Sequence, residues 1–141
     1  MNRITLVLIL IAGLTYSCQL TDKGKDREIT SDMIDNPSKI EFENNTFNFK
    51  EIAVGSSVEH VFKFKNVGET PLIIHYVKAQ CGCTVPENWP KEPILPGEEG
   101  EIEVEFNPKK EQKNVSKYIA VIANTRPANT KLYLKGNVIG N

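Results

Sequence analysis

Residues 100–106 read Gly-Glu-Ile-Glu-Val-Glu-Phe, and their strict alternation decides the fold class. Successive side chains of a strand point to opposite faces, so Ile102, Val104 and Phe106 share an oily face while Glu101, Glu103 and Glu105 share a wet one. The same period of two runs outward from this stretch. Val58, His60, Phe62 and Phe64 alternate with Glu59, Val61, Lys63 and Lys65, and Leu132, Leu134 and Val138 alternate near the end of the chain. Strands buried on one face are what antiparallel sheets produce. Turn chemistry separates the runs: Gly55, Asn66 to Pro71, Pro96-Gly97, Asn107-Pro108 and Asn124 to Asn129. No amphipathic helical period interrupts them. The pattern predicts an all-β, immunoglobulin-like antiparallel β-sandwich of about seven strands spanning residues 39–141. A head of about 100 residues buries roughly two-thirds of its surface and does not need a disulfide to fold.

The N-terminus belongs to a different regime. Arg3 precedes an apolar run from Ile4 to Leu14, too short for a stable transmembrane anchor, so residues 1–17 read as an export signal. Ser17 directly before Cys18 resembles the lipobox of bacterial lipoproteins, although Thr15 and Tyr16 depart from its usual aliphatic and small residues; ordinary secretory cleavage is the other reading. The resemblance makes Cys18 a lipidation site and Gln19 a mark of a Gram-negative outer membrane. The periplasmic and surface sides stay open. Several acyl chains hold a protein on a membrane essentially permanently, at about 0.8 kcal/mol per buried methylene. Residues 18–38 follow as a lipidated cysteine and a polar, charged tether with too little apolar surface to fold alone.

Within the head, Val54-Gly55, Phe62-Lys63-Phe64-Lys65-Asn66-Val67-Gly68, Pro71-Leu72-Ile73-Ile74, Cys81-Gly82-Cys83-Thr84, Pro96-Gly97 and Leu134-Lys135-Gly136-Asn137-Val138 occur in a telling order. The chain resembles the bacterial domain-of-unknown-function family 1573 from about residue 45 to 139. That family is distantly similar to the immunoglobulin-like modules of cilia, centrosomes and major sperm protein. The resemblance implies an exported or lipid-anchored binding or scaffolding module and brings no reaction with it.

Cys81 and Cys83 are the remaining cysteines, and exported chains meet an oxidising compartment. Four readings stand side by side. A disulfide within the box needs a turn at Gly82, because residues two apart on an extended strand lie about 6.6 Å apart, at the outer edge of bridging. Such a small ring adds little by loop closure and suits a redox-responsive pair. A soft metal such as Cu(I) could be held by the two thiolates with His75. Both cysteines could simply pack as small hydrophobes, with Gly82 marking a bulge or a close backbone approach. A bridge to another chain is the fourth.

Trp89, on the proline-rich loop 86–93, is a candidate partner-binding anchor or a cap on the open end of the sandwich. His60, on the Phe62 and Phe64 face, reads as a strand-end or core histidine. With 17 basic against 18 acidic side chains, the composition offers no field for nucleic acid. The sequence holds no nucleophile elbow, phosphate loop or zinc-protease helix motif. The reading is therefore a cofactor-free, non-enzymatic, lipid-anchored envelope protein that meets a protein or glycan partner. Its rival is a thiol–disulfide or copper protein acting through Cys81 and Cys83.

Overall fold

The computed structural model describes residues 36–140. Signal, Cys18 and nearly all of the tether lie outside these residues. Eight strands run in order: β1 (Ile40–Phe42), β2 (Thr46–Ala53), β3 (Val58–Asn66), β4 (Ile74–Ala79), β5 (Thr84–Asn88), β6 (Glu99–Phe106), β7 (Gln112–Ala123) and β8 (Asn129–Ile139). They form two four-stranded sheets, β1-β3-β6-β5 and β2-β8-β7-β4. No helix occurs among the described residues.

Alternation does what the sequence predicts. In β6, Ile102, Val104 and Phe106 are buried, while Glu99, Glu101 and Glu103 face solvent. Phe62 and Phe64 of β3 join that inner face. Val115, Ile119 and Val121 of β7 and Leu132, Leu134 and Val138 of β8 meet them from the other sheet. Phe49 packs on Phe106 with ring centroids 5.2 Å apart. Residues from two inner faces interdigitating in one layer are the core of a sandwich. The Leu95–Glu98 turn is closed by a 3.0 Å bond from Glu98 N–H to the Leu95 carbonyl, and Gly97 takes φ +83° there. Pro then Gly at the central positions suits a type II turn, which is why Pro96-Gly97 was legible.

Three details depart from expectation. The strands number eight, because the three-residue β1 pairs with the end of β3. The sheets are not purely antiparallel: β2 runs parallel to β8, Thr46 opposite Tyr133 through Ala53 opposite Ile139. The chain leaves β1, crosses to the opposite sheet and enters β2 beside the last strand, so direction there is set by the crossing. Finally, Ser38, placed at the end of the tether, is 4% exposed and bridged to Thr125. The folded head begins there.

Candidate functional site

The cysteine box sits where the chain changes sheets. β4 belongs to one sheet and β5 to the other, and Gln80 to Cys83 make the crossing. Gln80 N–H bonds to the Tyr118 carbonyl at 3.0 Å, anchoring one end to β7. Asn107 N–H bonds to the Cys83 carbonyl at 2.8 Å, anchoring the other to the end of β6. Between these anchors Thr84 N–H reaches the Cys81 carbonyl at 3.3 Å, closing a turn. The turn brings the Cα atoms of Cys81 and Cys83 to 5.3 Å, and the two sulfurs are joined in a disulfide. Of the four readings, the bridge within the box is the one the structure shows. The turn at Gly82 does not itself require glycine: Gly82 lies outside the left-handed region, and an added Cβ would meet nothing within 4 Å.

A cleft of about 390 Å³ opens over the bridge, lined by Cys81, Cys83, Phe106, Pro108, Gln112 and three lysines, Lys109, Lys110 and Lys117. Both cysteines are half-buried, and Cys83 packs against the core. Cys81 Sγ lies 3.8 Å from the hydroxyl of buried Thr84. Lys109 donates to Asn107 Oδ1 at 3.3 Å. None of the three lysines is ion-paired to a carboxylate of the described residues, and the pairs Lys63–Glu101 and Lys65–Glu99 lie towards the opposite end of β6 from Phe106.

The copper reading loses its third ligand. His75 is exposed near the start of β4, and the six residues to Cys81 span about 20 Å of extended chain. No group of three or more His, Cys, Asp or Glu side chains among the described residues is placed to hold a metal ion. His60 stacks on Phe47 at 3.8 Å and meets Phe62 edge-on at 4.6 Å; burial lowers its pKa below the usual 6.5. It is a half-buried packing residue.

Trp89 folds back. Its ring packs against the core, its Nε1 is buried without an acceptor, and the Lys91 ammonium lies 2.7 Å above the ring centroid. Trp89 is therefore partly buried against the core, as the capping reading expects.

The outer faces of the two sheets carry opposite charge, which the even total conceals. On β1-β3-β6-β5, Glu41, Glu59, Glu87, Glu99, Glu101, Glu103 and Glu105 point outward against Lys63 and Lys65. On β2-β8-β7-β4 the outward row Lys78, Ala120, Lys131 lies beside the row Tyr118, Tyr133, Thr46 and then Ser116, Lys135, Asn48. Lys131 sits 4.7 Å from the Tyr118 ring centroid and Lys135 5.6 Å from that of Tyr133. Tyr76, 51% exposed, completes the set, so every tyrosine of the described residues lies on this face. Sequence reasoning passed over it because these tyrosines are scattered over three strands and carry no motif.

A family model described as "Protein of unknown function (DUF1573)" matches residues 40–138. The chain belongs to this family. No curated protein matches. Among solved structures, a DUF1573-like head is similar to a protein of unknown function from Porphyromonas gingivalis W83, at TM-score 0.61 and 16% identity over 71% of this chain and 46% of that one. It is also similar to the ASH/PapD-like domain 7 of human CEP192, at TM-score 0.57 and 17% identity over 74% of this chain and 88% of that one. The secreted serine protease VesC of Vibrio cholerae aligns at TM-score 0.55 and 14% identity over 77% of this chain and 25% of that one. The DUF1573 chain thus spans about half of the Porphyromonas protein. At these identities the likeness establishes a PapD-like, immunoglobulin-like fold and nothing about activity.

Proposed function

We propose that this DUF1573 chain is an exported, lipid-anchored, non-enzymatic module whose head binds or spaces other components of a Gram-negative envelope. The observation that carries the binding reading is the Tyr76, Tyr118, Tyr133 face with Lys78, Lys131 and Lys135 around it. Tyrosine is enriched where protein surfaces meet partners, since it offers a large rigid contact at small entropic cost. The lysines select for an acidic protein or glycan. The export signal and Cys18 would place the head near the membrane, with residues 19–38 as a spacer.

Two measurements test this. Cys18→Ser should move the protein from the membrane fraction to the soluble one and stop incorporation of labelled fatty acid; an unaltered distribution removes the anchor. Capture from detergent-solubilised envelope should lose its bound material in Tyr118→Ala/Tyr133→Ala while Trp89→Phe retains it. An unchanged set of captured components in the tyrosine variant defeats the binding reading.

A second reading, thiol–disulfide chemistry at Cys81 and Cys83, is favoured by one observation: the bridge lies at the base of a cleft and is not sealed in the core.

A further inference from the structure

We propose that the cleft over the Cys81–Cys83 bridge is a site for exchange with a small anionic thiol, an inference that rests on the second reading above. The argument begins with the ring. A bridge between residues two apart closes the smallest of loops, and loop-closure entropy, which grows with loop length, gives it little stabilisation. The box is moreover held independently at both ends, by Gln80 to Tyr118 and Asn107 to Cys83. Opening the bridge therefore leaves the sheet crossing in place. A structural staple would do neither.

The surroundings then define the co-reactant. Lys109, Lys110 and Lys117 line the same cleft with no carboxylate of the described residues paired to them. Phe106 and Pro108 give it apolar walls, which reduce local screening and strengthen attraction for an anion. The attacking species in exchange is a thiolate, already negative, and a thiol bearing a carboxylate or sulfonate adds a second charge. A volume of about 390 Å³ admits a low-molecular-weight thiol.

The direction of attack follows from Thr84. Its hydroxyl, 3.8 Å from Cys81 Sγ, can donate to charge developing there. The incoming thiolate bonds to Cys83 Sγ, the sulfur–sulfur bond of the bridge breaks, and the electron pair goes to Cys81 Sγ. A second thiolate attacks the outer sulfur of the mixed disulfide and releases the Cys83 thiolate. Each protein thiolate takes a proton from water. Two small thiols are oxidised to their disulfide and the bridge is reduced to a dithiol.

The test compares 2-mercaptoethanesulfonate with neutral 2-mercaptoethanol on the full chain in detergent, following bridge reduction by mass after acid quenching and alkylation. The anionic thiol should react about tenfold faster at low salt, as expected for focusing by a cluster of charge. That preference should vanish at about 1 M salt, where the Debye length is about 3 Å. In Lys109→Gln/Lys110→Gln/Lys117→Gln the rate ratio should fall towards unity, whereas Lys63→Gln on β3, outside the cleft lining, should keep it. The trapped mixed disulfide should map to Cys83. A native bridge inert to both thiols overturns the thiol reading and this inference with it. Equal rates in wild type, or a preference that survives in the triple variant, overturns the anionic site while the thiol reading stands. Mapping to Cys81 overturns the assigned direction.

Discussion

Asn66 is fully buried, yet every polar atom it carries is used. Its amide donates to the Thr70 and Ile94 carbonyls, both at 2.9 Å, and its Oδ1 accepts from the Ser38 hydroxyl at 2.8 Å and Gly68 N–H at 2.9 Å. Its backbone bonds to Glu98 and Gly97. The side chain thus ties the start of the head, the end of β3 and the segment entering the Pro96 turn into one unit. Asn66→Ala would strip Gly68 N–H of its acceptor, at a cost of about 1–3 kcal/mol where it stays dry. It would also remove one bond each from the Thr70 and Ile94 carbonyls, which keep the Ser38 hydroxyl and Leu72 N–H. We expect a loss of about 3 kcal/mol in denaturant unfolding, and a larger one for Asn66→Asp, whose carboxylate would face two carbonyl oxygens. A change within about 0.5 kcal/mol would contradict the network. From sequence, Asn66 read as a turn former. Gly68, two residues on, is the local contact a turn former makes; the other side-chain partners lie 4 and 28 residues away, and no local pattern announces such distances. His60 supplies a second expectation at this scale. Its folded pKa lies below the unfolded 6.5, so the native state binds the proton less readily than the unfolded chain. The stability this contributes is complete above 6.5 and is lost as pH falls through the folded value. Melting temperature should therefore drop between about pH 7.5 and about pH 5.5, and drop less in His60→Phe; parallel curves would show that His60 is not the titrating group.

The stretch that decided the fold class starts with a glycine whose role is packing. Gly100 pairs with Phe64, and a Cβ there would lie 2.5 Å from Phe64 Cζ. Phe64 cannot yield freely, since Phe42 of β1 packs on it at 5.4 Å. Gly136 plays the same part in β8, where β2 and β7 each carry an irregularity beside it: Lys50 and Val115 both pair with Gly136. A Cβ there would collide with the Phe49 ring and come within 2.8 Å of the Lys50 carbonyl. Gly100→Ala and Gly136→Ala should each destabilise by about 1–3 kcal/mol, the usual cost of overpacking, whereas Gly82→Ala, with open space around its Cβ, should be nearly silent. Equal effects at all three positions would show that loss of chain entropy, not contact, governs them. Alternation along single strands was legible because period two is written into neighbouring residues. Parallel pairing of β2 with β8 was not, because pairing depends on which chain segments cross between the sheets. The bridge falls between these cases: a turn at residues 81–84 was foreseeable, but the lysines of its cleft come from the β6–β7 connection and from β7 itself.

Charge belongs to the whole molecule, and the sum of −1 describes neither side of it. Sheets in a sandwich lie about 10 Å apart, comparable to the Debye length of about 10 Å at 0.1 M salt. A partner at one face consequently feels mainly the sign of that face, since the opposite one is screened. On the acidic side Glu59 stands directly across from Glu105, a pairing that costs stability and that Lys63 and Lys65 offset only at the other end of β3. The protein should therefore bind a cation exchanger at an ionic strength of about 0.1 M and neutral pH, through Lys78, Lys131 and Lys135, in spite of its negative total. Lys131→Glu/Lys135→Glu should release it, and Lys63→Glu on the acidic sheet should leave retention unchanged. Passage of the wild-type chain straight through the column would mean that the two fields cancel at contact distance. The tyrosine face would then recruit partners by apolar burial alone, and its preference for acidic ones would lose its basis.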